Sequence, residues 1–219
     1  MLRRAGEAVF FGGMNIDFSQ ISGRDAYGWM TSLITPRPIA WVSTVGADGR
    51  TNLAPFSFFS GVTSNPPTLM FVPVNDRNGE KKHTVLNIEE TRQFVLNVAP
   101  FSLAEKMSAC AALLPRGESE FEAFGIAAAG SAMVKPPRVA EAPAAFECEL
   151  ERIVDVGEGA SGAHIIIGRI LCAQVSDAVL NAEGRVDAVK LDAIGRLGGE
   201  SYCRVRELFE VARPDRKKT

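Results

Sequence analysis

A small antiparallel β-barrel with helical additions is the architecture these 219 residues predict. Short apolar and β-branched runs recur between Gly, Pro and Asn/Asp turns, the spacing of a mainly β domain. Helical patterns are few and short, and they do not alternate with strands as a parallel βαβ sheet requires. No Gly-x-Gly-x-x-Gly follows the first strand, so a nucleotide cofactor here would have to bind without a Rossmann site.

Each segment has its own reason. Residues 1–20 lack periodicity and read as an N-terminal extension; Val9–Phe11, behind Arg3 and Arg4, is too short for a signal-peptide core. Ser22 to Leu33 reads as a helix with Ala26, Trp29, Met30 and Leu33 on one face, closed by Thr35-Pro36. Residues 38–45 and 52–62 form a hairpin around Asp48-Gly49, with a break at Pro55. Asn65-Pro66-Pro67 turns the chain into a strand over Thr68–Val74, and Asn75–Lys82 is a charged loop. Thr84 suits the N-cap of a helix through Ile88, and Gln93–Ala99 reads as strand. Ser102-x-x-Glu105 has the pattern of a capping box for a helix through Leu113, and Ser119-x-x-Glu122 of a second. Residues 131–145 read as an extended connection. Phe146, Cys148 and Leu150 alternate with Glu147, Glu149 and Glu151, a half-buried strand; His164–Val175 is a longer, central one. Glu183-Gly184 precedes a predicted strand over Arg185–Leu191, a loop over Gly195–Tyr202 and a short element at Glu207–Val211. No linker or repeat interrupts the chain, so 21–213 reads as one domain and 214–219 as a tail.

Composition narrows the function classes. Hydrophobic residues make up 46% and charged residues 23%, ordinary for a soluble domain, and a net charge of −2 offers nucleic acid or an anionic membrane nothing to bind. No apolar run reaches the length of a bilayer span. Cys110, Cys148, Cys172 and Cys203 are widely spaced, with only His83 and His164 to join them; that disfavours a metal site or a disulfide framework and fits the cytoplasm. Cys148 and Cys172 lie in strand-like apolar runs and read as small core residues.

The most informative stretch is residues 34–58. A proline-fixed turn containing Arg37 leads into a strand ending in Ser43 and Thr44, and the return strand carries Asn52, Ala54, Ser57 and Phe58. Neutral donors gathered on a hairpin suit an oxygen-rich anionic or heteroaromatic ligand. Further on, Lys81-Lys82-His83-Thr84 opens a helix, where a phosphate meets charge and free N–H groups. Taken singly, strand hydroxyls bond neighbouring backbone and paired lysines form a solvated face. Their order and spacing carry the argument.

Thr-Pro-Arg-Pro, Val-Ser-Thr, Asn-x-Ala-Pro-Phe-Ser, Pro-Pro and Lys-x-Thr followed by Asn-Ile resemble, in that order, the flavin reductase-like, FMN-binding split-barrel family. The resemblance runs from about Trp29 to Arg213 and is most specific over 34–98. It implies a six-stranded antiparallel Greek-key split barrel, a homodimer with flavin near the interface, and FMN rather than FAD as cofactor. It also implies that Ser43, Thr44, Asn52, Ala54, Ser57 and Phe58 hold the ring and ribityl chain, with Lys82 and Thr84 on the phosphate. Arg37 is a second cation in reach if its turn folds over the site. His83 stands where the family usually has aspartate. Gly162-Ala163-His164 resembles the segment whose histidine faces the nicotinamide, although a strand-end histidine bonded to backbone is the alternative. Arg196, Gly198, Gly199 and Tyr202 resemble a Gly-Gly-x-x-Tyr segment near the flavin pocket, or form only a turn.

No Ser/His/Asp or Cys/His arrangement and no Gly-x-Ser-x-Gly elbow is present, as expected where a cofactor carries the chemistry. The resemblance therefore implies an oxidoreductase that reduces flavin with NADH or NADPH and passes electrons to a partner monooxygenase or another acceptor. An FMN-binding electron carrier or sensor without nicotinamide turnover is the alternative. A pyridoxamine-phosphate-oxidase-like protein shares the barrel, but Thr-Pro-Arg-Pro favours the reductase branch.

Overall fold

The structure, a computed structural model, describes residues 13–212 and Pro214; Arg3, Arg4, Val9–Phe11 and most of the 214–219 tail lie outside the described residues. Helix α1 (Gly23–Leu33) leads into strands β1 (Arg37–Pro38), β2 (Ala40–Val45), β3 (Thr51–Phe56), β4 (Phe59–Ser64) and β5 (Pro67–Phe71). Helix α2 (His83–Thr91), strand β6 (Gln93–Val98) and the short helices α3 (Ala104–Ala109) and α4 (Glu120–Ala123) follow. Next come β7 (Ala128–Ala129), β8 (Arg138–Val139), the long hairpin of β9 (Ala144–Val156) and β10 (Ala163–Val175), α5 (Ala188–Leu191), β11 (Ile194–Arg196) and β12 (Tyr202–Arg204).

The main sheet runs β3-β2-β6-β9-β10-β5-β4, with every neighbouring pair antiparallel. Its two edge strands, β3 and β4, are separated in the chain only by Ser57 and Phe58. One bent segment thus supplies both edges, and the sheet curls on itself as a barrel with protected edges. Counted as one strand, β3–β4 reduces seven strands to the expected six. Pro55 contributes no N–H, and the bend follows two residues later.

β2 is buried on both faces, which is why it reads as a continuous apolar run. Ala40 and Val42 join Phe71, Val85, Phe94, Leu96, Cys148 and Ile166 in one core. Ile39 and Trp41 face the other way and pack with Leu53, Leu103, Met107 and Phe121 beneath α3 and α4. Inside the barrel Gly168 admits the Phe94 ring, whose Cζ would lie 2.3 Å from a Cβ at that position.

Several segments differ from expectation. Among the described residues nothing covers the apolar side of α1: Trp29, Met30 and Leu33 are exposed and only Thr31 of the helix is buried. Thr84 lies inside α2 rather than capping it; the cap residue is Lys82, whose side chain makes no capping bond. Ser102 and Ser119 also make no capping bond, α3 stops at Ala109 rather than Leu113, and the Ser119 hydroxyl pairs with Thr51 at 2.6 Å. Cys148 is fully buried, whereas Cys172 is only partly so. Glu147 breaks the predicted alternation by turning inward, where its carboxylate accepts the amides of Ala132 (2.8 Å) and Met133 (2.6 Å) and is bonded by Gln174. These bonds hold its carboxyl below the usual range although burial alone pushes it up. Residues 188–191 are helical because Asp187 accepts the amides of Val189 and Lys190. The expected 195–202 loop is instead the β11–β12 hairpin, which pairs with β1; Glu207–Val211 forms no regular element.

Candidate functional site

A cavity of about 360 Å³ opens between three pieces of chain: β3 with its bend, the start of α2, and the segment from Cys110 to Leu114. Pockets of a few hundred Å³ are the size that small organic cofactors occupy. Asn52, Ala54, Ser57, Phe58, Lys82, His83 and Thr84 line it, together with Tyr27, Asp76, Lys81 and Glu120.

The loop before α2 is built to hold that helix start still. Asp76 accepts the amides of Asn78 (2.8 Å) and Glu80 (2.9 Å), bonds that hold its carboxyl below the usual range. Gly79 closes the turn at φ 83°, a left-handed conformation suited to glycine. Asn75 ties the loop to the β9–β10 hairpin: its amide nitrogen donates to the Gly159 carbonyl at 2.9 Å, and its carbonyl oxygen meets His164 Nε2 at 2.8 Å.

The first turn of α2 is open at its N-terminus. The Val85 and Leu86 amides bond the Lys82 carbonyl. Among the described residues the His83 and Thr84 amides have no acceptor, and no side chain caps the helix. Free amides at a helix start are an anion site, strengthened by the helix dipole. Lys81 is engaged with Glu89 at 2.5 Å. Lys82 has no carboxylate partner among the described residues, so its charge is available. The His83 imidazole is held below its ordinary pKa, first by burial and then by Arg116 and Lys82, which keeps it neutral at pH 7.

On the opposite wall Glu120 is 4% exposed and its Oε2 accepts the Leu53 amide at 2.7 Å. Burial pushes its carboxyl up, and no cation pairs with it among the described residues. Burial likewise pushes the Cys110 thiol up to about 12, which leaves it protonated and unreactive.

Not every predicted site residue reaches this cavity. Ser43 is fully buried and its hydroxyl donates to the Pro137 carbonyl at 2.5 Å. Thr44 is buried and accepts from Asn87 at 3.0 Å, one layer behind Asn52. Arg37 donates to the carbonyls of Thr31, Ile34 (2.6 Å) and Leu197 (3.0 Å) and, through Nε, to the Ser57 hydroxyl at 3.4 Å, bracing the turn and the bend rather than lining the cavity. His164 is 5% exposed and held on both ring nitrogens, by Asp155 at 2.6 Å and by Asn75. It lies behind the loop, not in the cavity wall. Sequence reasoning passed over Glu120, Tyr27 and the 110–114 segment. The only available signal for Glu120 was its helical phase, four residues before Phe124.

The described residues contain no group of three His, Cys, Asp or Glu able to hold a metal ion, and no helix long and apolar enough to cross a membrane.

Comparison with known proteins agrees on one family. Residues 30–190 match the family model described as the flavin reductase like domain. The chain is 38% identical over 191 residues to an uncharacterized protein of Aquifex aeolicus (strain VF5), covering 87% of this chain and 95% of that one. Among solved structures it is similar to nitrilotriacetate monooxygenase component B from Bacillus cereus, with a TM-score of 0.85 and 33% identity over 91% of this chain and 98% of that one. It is also similar to the 2-nitrobenzoate 2-nitroreductase of Pseudomonas fluorescens, with a TM-score of 0.81 and 30% identity over 92% of this chain and 96% of that one.

Proposed function

Since the chain belongs to the flavin reductase-like family, we propose that it binds FMN and uses NADH or NADPH to reduce it, passing the electrons to an acceptor. The observation that carries this reading is the open start of α2, with unpaired His83 and Thr84 amides and the uncommitted Lys82 beside a cavity of cofactor size. That is a seat for a phosphate monoester. When bound, FMN supplies the chemistry by accepting a hydride from a dihydronicotinamide.

The chain's own residues bind and orient. Lys82, Thr84 and the first amides of α2 take the phosphate, and His83 offers one further N–H. Asn52 and Ala54 flank the ribityl chain, and the β3–β4 bend with Phe58 lies along the ring. The Leu53 amide points outward to Glu120, so alternation turns those of Ala54 and Phe56 toward β2, and Pro55 has none. The amides of Ser57 and Phe58, at the bend, are then the ones that can stabilise charge developing on a bound ring. His164 keeps the role of a positioning residue for the 75–82 loop.

Residues 21–213 form one domain, with 1–20 an extension and 214–219 a tail. Two copies pair, covering the exposed Trp29, Met30 and Leu33 of α1. The four cysteines, all free, suit the reducing cytoplasm. Likeness to a monooxygenase component supports a partner monooxygenase as acceptor, and likeness to a nitroreductase supports direct reduction of a small acceptor.

The test is a visible spectrum of the purified protein after FMN is added and unbound flavin removed, followed by NADH and NADPH oxidation. A retained flavin band with turnover is the expected result. A band without turnover gives the electron-carrier alternative, and no retained flavin overturns the reading.

A further inference from the structure

A second groove, open to solvent and about 620 Å³ in volume, lies beside the first cavity. The two share Tyr27, Pro55, Phe56, Ser57 and Ala111, so molecules seated in both would meet across the β3–β4 bend. The far side of the groove is the β11–β12 hairpin, which presents Arg196, Glu200 and Tyr202.

Arg196 is the only cation lining this groove among the described residues. It is opposite Tyr202 in the hairpin register, and its guanidinium carbon lies 4.4 Å from the Tyr202 ring centroid. Nη2 donates to the Gly199 carbonyl at 2.5 Å, which fixes the plane of the group. A guanidinium has five N–H donors, and one is committed. The neighbouring arginines are spent otherwise. Arg204 and Arg206 both pair with Asp192, and Arg37, the cross-strand neighbour of Arg196, is bonded to backbone carbonyls. Arg196 has no carboxylate partner among the described residues. A stacked, pre-oriented and unpaired arginine in a groove is a recognition site for phosphate or carboxylate.

We propose that Arg196 is the anion-recognition residue of the groove that receives the diffusible electron donor, holding a phosphate of NADH or NADPH while Tyr202 and Tyr27 flank its planar parts. This rests on the reading of the first cavity as the flavin site. The donor's nicotinamide end then lies at the shared wall, and its charged end at the hairpin. Glu200, the groove's one carboxylate among the described residues, lies on the same turn but forms no ion pair with Arg196.

The test compares the full-length, FMN-loaded wild type with Arg196→Gln and Arg196→Lys. FMN affinity is read from flavin fluorescence, KM for NADH and NADPH from steady-state oxidation, and Kd for NAD+ and NADP+ from calorimetry. Arg196→Gln is expected to raise both KM and product Kd by about tenfold or more, the loss of one charge-assisted hydrogen bond. FMN affinity should stay within about twofold of wild type, and Arg196→Lys should fall between. A rise for both nucleotides places the pyrophosphate on Arg196, and a rise confined to the NADP forms places the 2′-phosphate there; each supports the proposal. Unchanged KM and Kd in Arg196→Gln overturn it, as does loss of FMN binding in that variant alone. If the wild type itself retains no FMN, the flavin reading fails instead.

Discussion

The Asn52 side-chain amide donates to the Thr84 hydroxyl at 3.0 Å, a buried bond that joins β3 to the first turn of α2. Thr44, the cross-strand partner of Asn52, accepts from Asn87, one turn further along α2. The four residues form a square in which two walls of the cavity are held as one unit. The strand hydroxyls and amides that mark the motif thus work in two layers, with Asn52 and Thr84 at the cavity and Thr44 and Asn87 behind.

Thr84→Val tests this tie. Valine keeps the shape but removes the acceptor, leaving a buried Asn52 amide without a partner, which costs about 1–3 kcal/mol. A lower Tm and FMN binding weakened several-fold are expected together. A lower Tm with FMN affinity intact would confine Thr84 to the structural layer.

Lys82 has no carboxylate partner among the described residues, whereas Lys81 is paired with Glu89. Lys82→Met is therefore expected to weaken FMN by about tenfold, the loss of one charge-assisted contact. Riboflavin, which lacks the phosphate, should bind the variant and the wild type equally. A matching loss for riboflavin would move Lys82 away from the phosphate.

His164 sits between Asp155 and Asn75 and so pins the loop that carries Lys81 and Lys82. His164→Ala is expected to raise the Kd for FMN several-fold and to leave KM for NAD(P)H unchanged once flavin is saturating. Intact FMN affinity with oxidation abolished would restore the nicotinamide-facing role that the family resemblance implies.

Much of this arrangement is legible in the chain because its causes are local. Asp48-Gly49 sets the hairpin between the two predicted strands, which pair with Thr44 opposite Asn52. The bent second strand follows from Pro55, and the charged loop before α2 from Asn75 and Asp76. Most of what stays hidden depends on distant partners. Nothing near Ser43 shows that its hydroxyl meets the Pro137 carbonyl, nor does the alternation of β9 show that amides at 132 and 133 draw Glu147 inward. The strand predicted over 185–191 yields to a helical turn through one capping side chain, Asp187. Arg37 reads as a ligand cation because its partners, three carbonyls and the Ser57 hydroxyl, come from α1, the turn after it, the β3–β4 bend and residue 197.

Glu120 supplies a test in which pH sets the sign. Burial raises its pKa in the fold above the unfolded carboxylate value, so ionisation is easier in the unfolded chain. Below the ordinary glutamate pKa the group is protonated in both states and neutral to stability. As pH rises from that value through the raised one, the unfolded state loses its proton first and stability falls. Above this window the wild type carries an uncompensated buried charge, offset only in part by the Leu53 amide. Glu120→Gln retains an oxygen for that amide and cannot ionise. Its Tm should exceed that of the wild type by about 2–4 °C at pH 8, the effect of roughly 1 kcal/mol on a chain of this size. At pH 4 the two melting temperatures should converge. A constant difference across pH 4–8 would mean that packing, not charge, separates the variants.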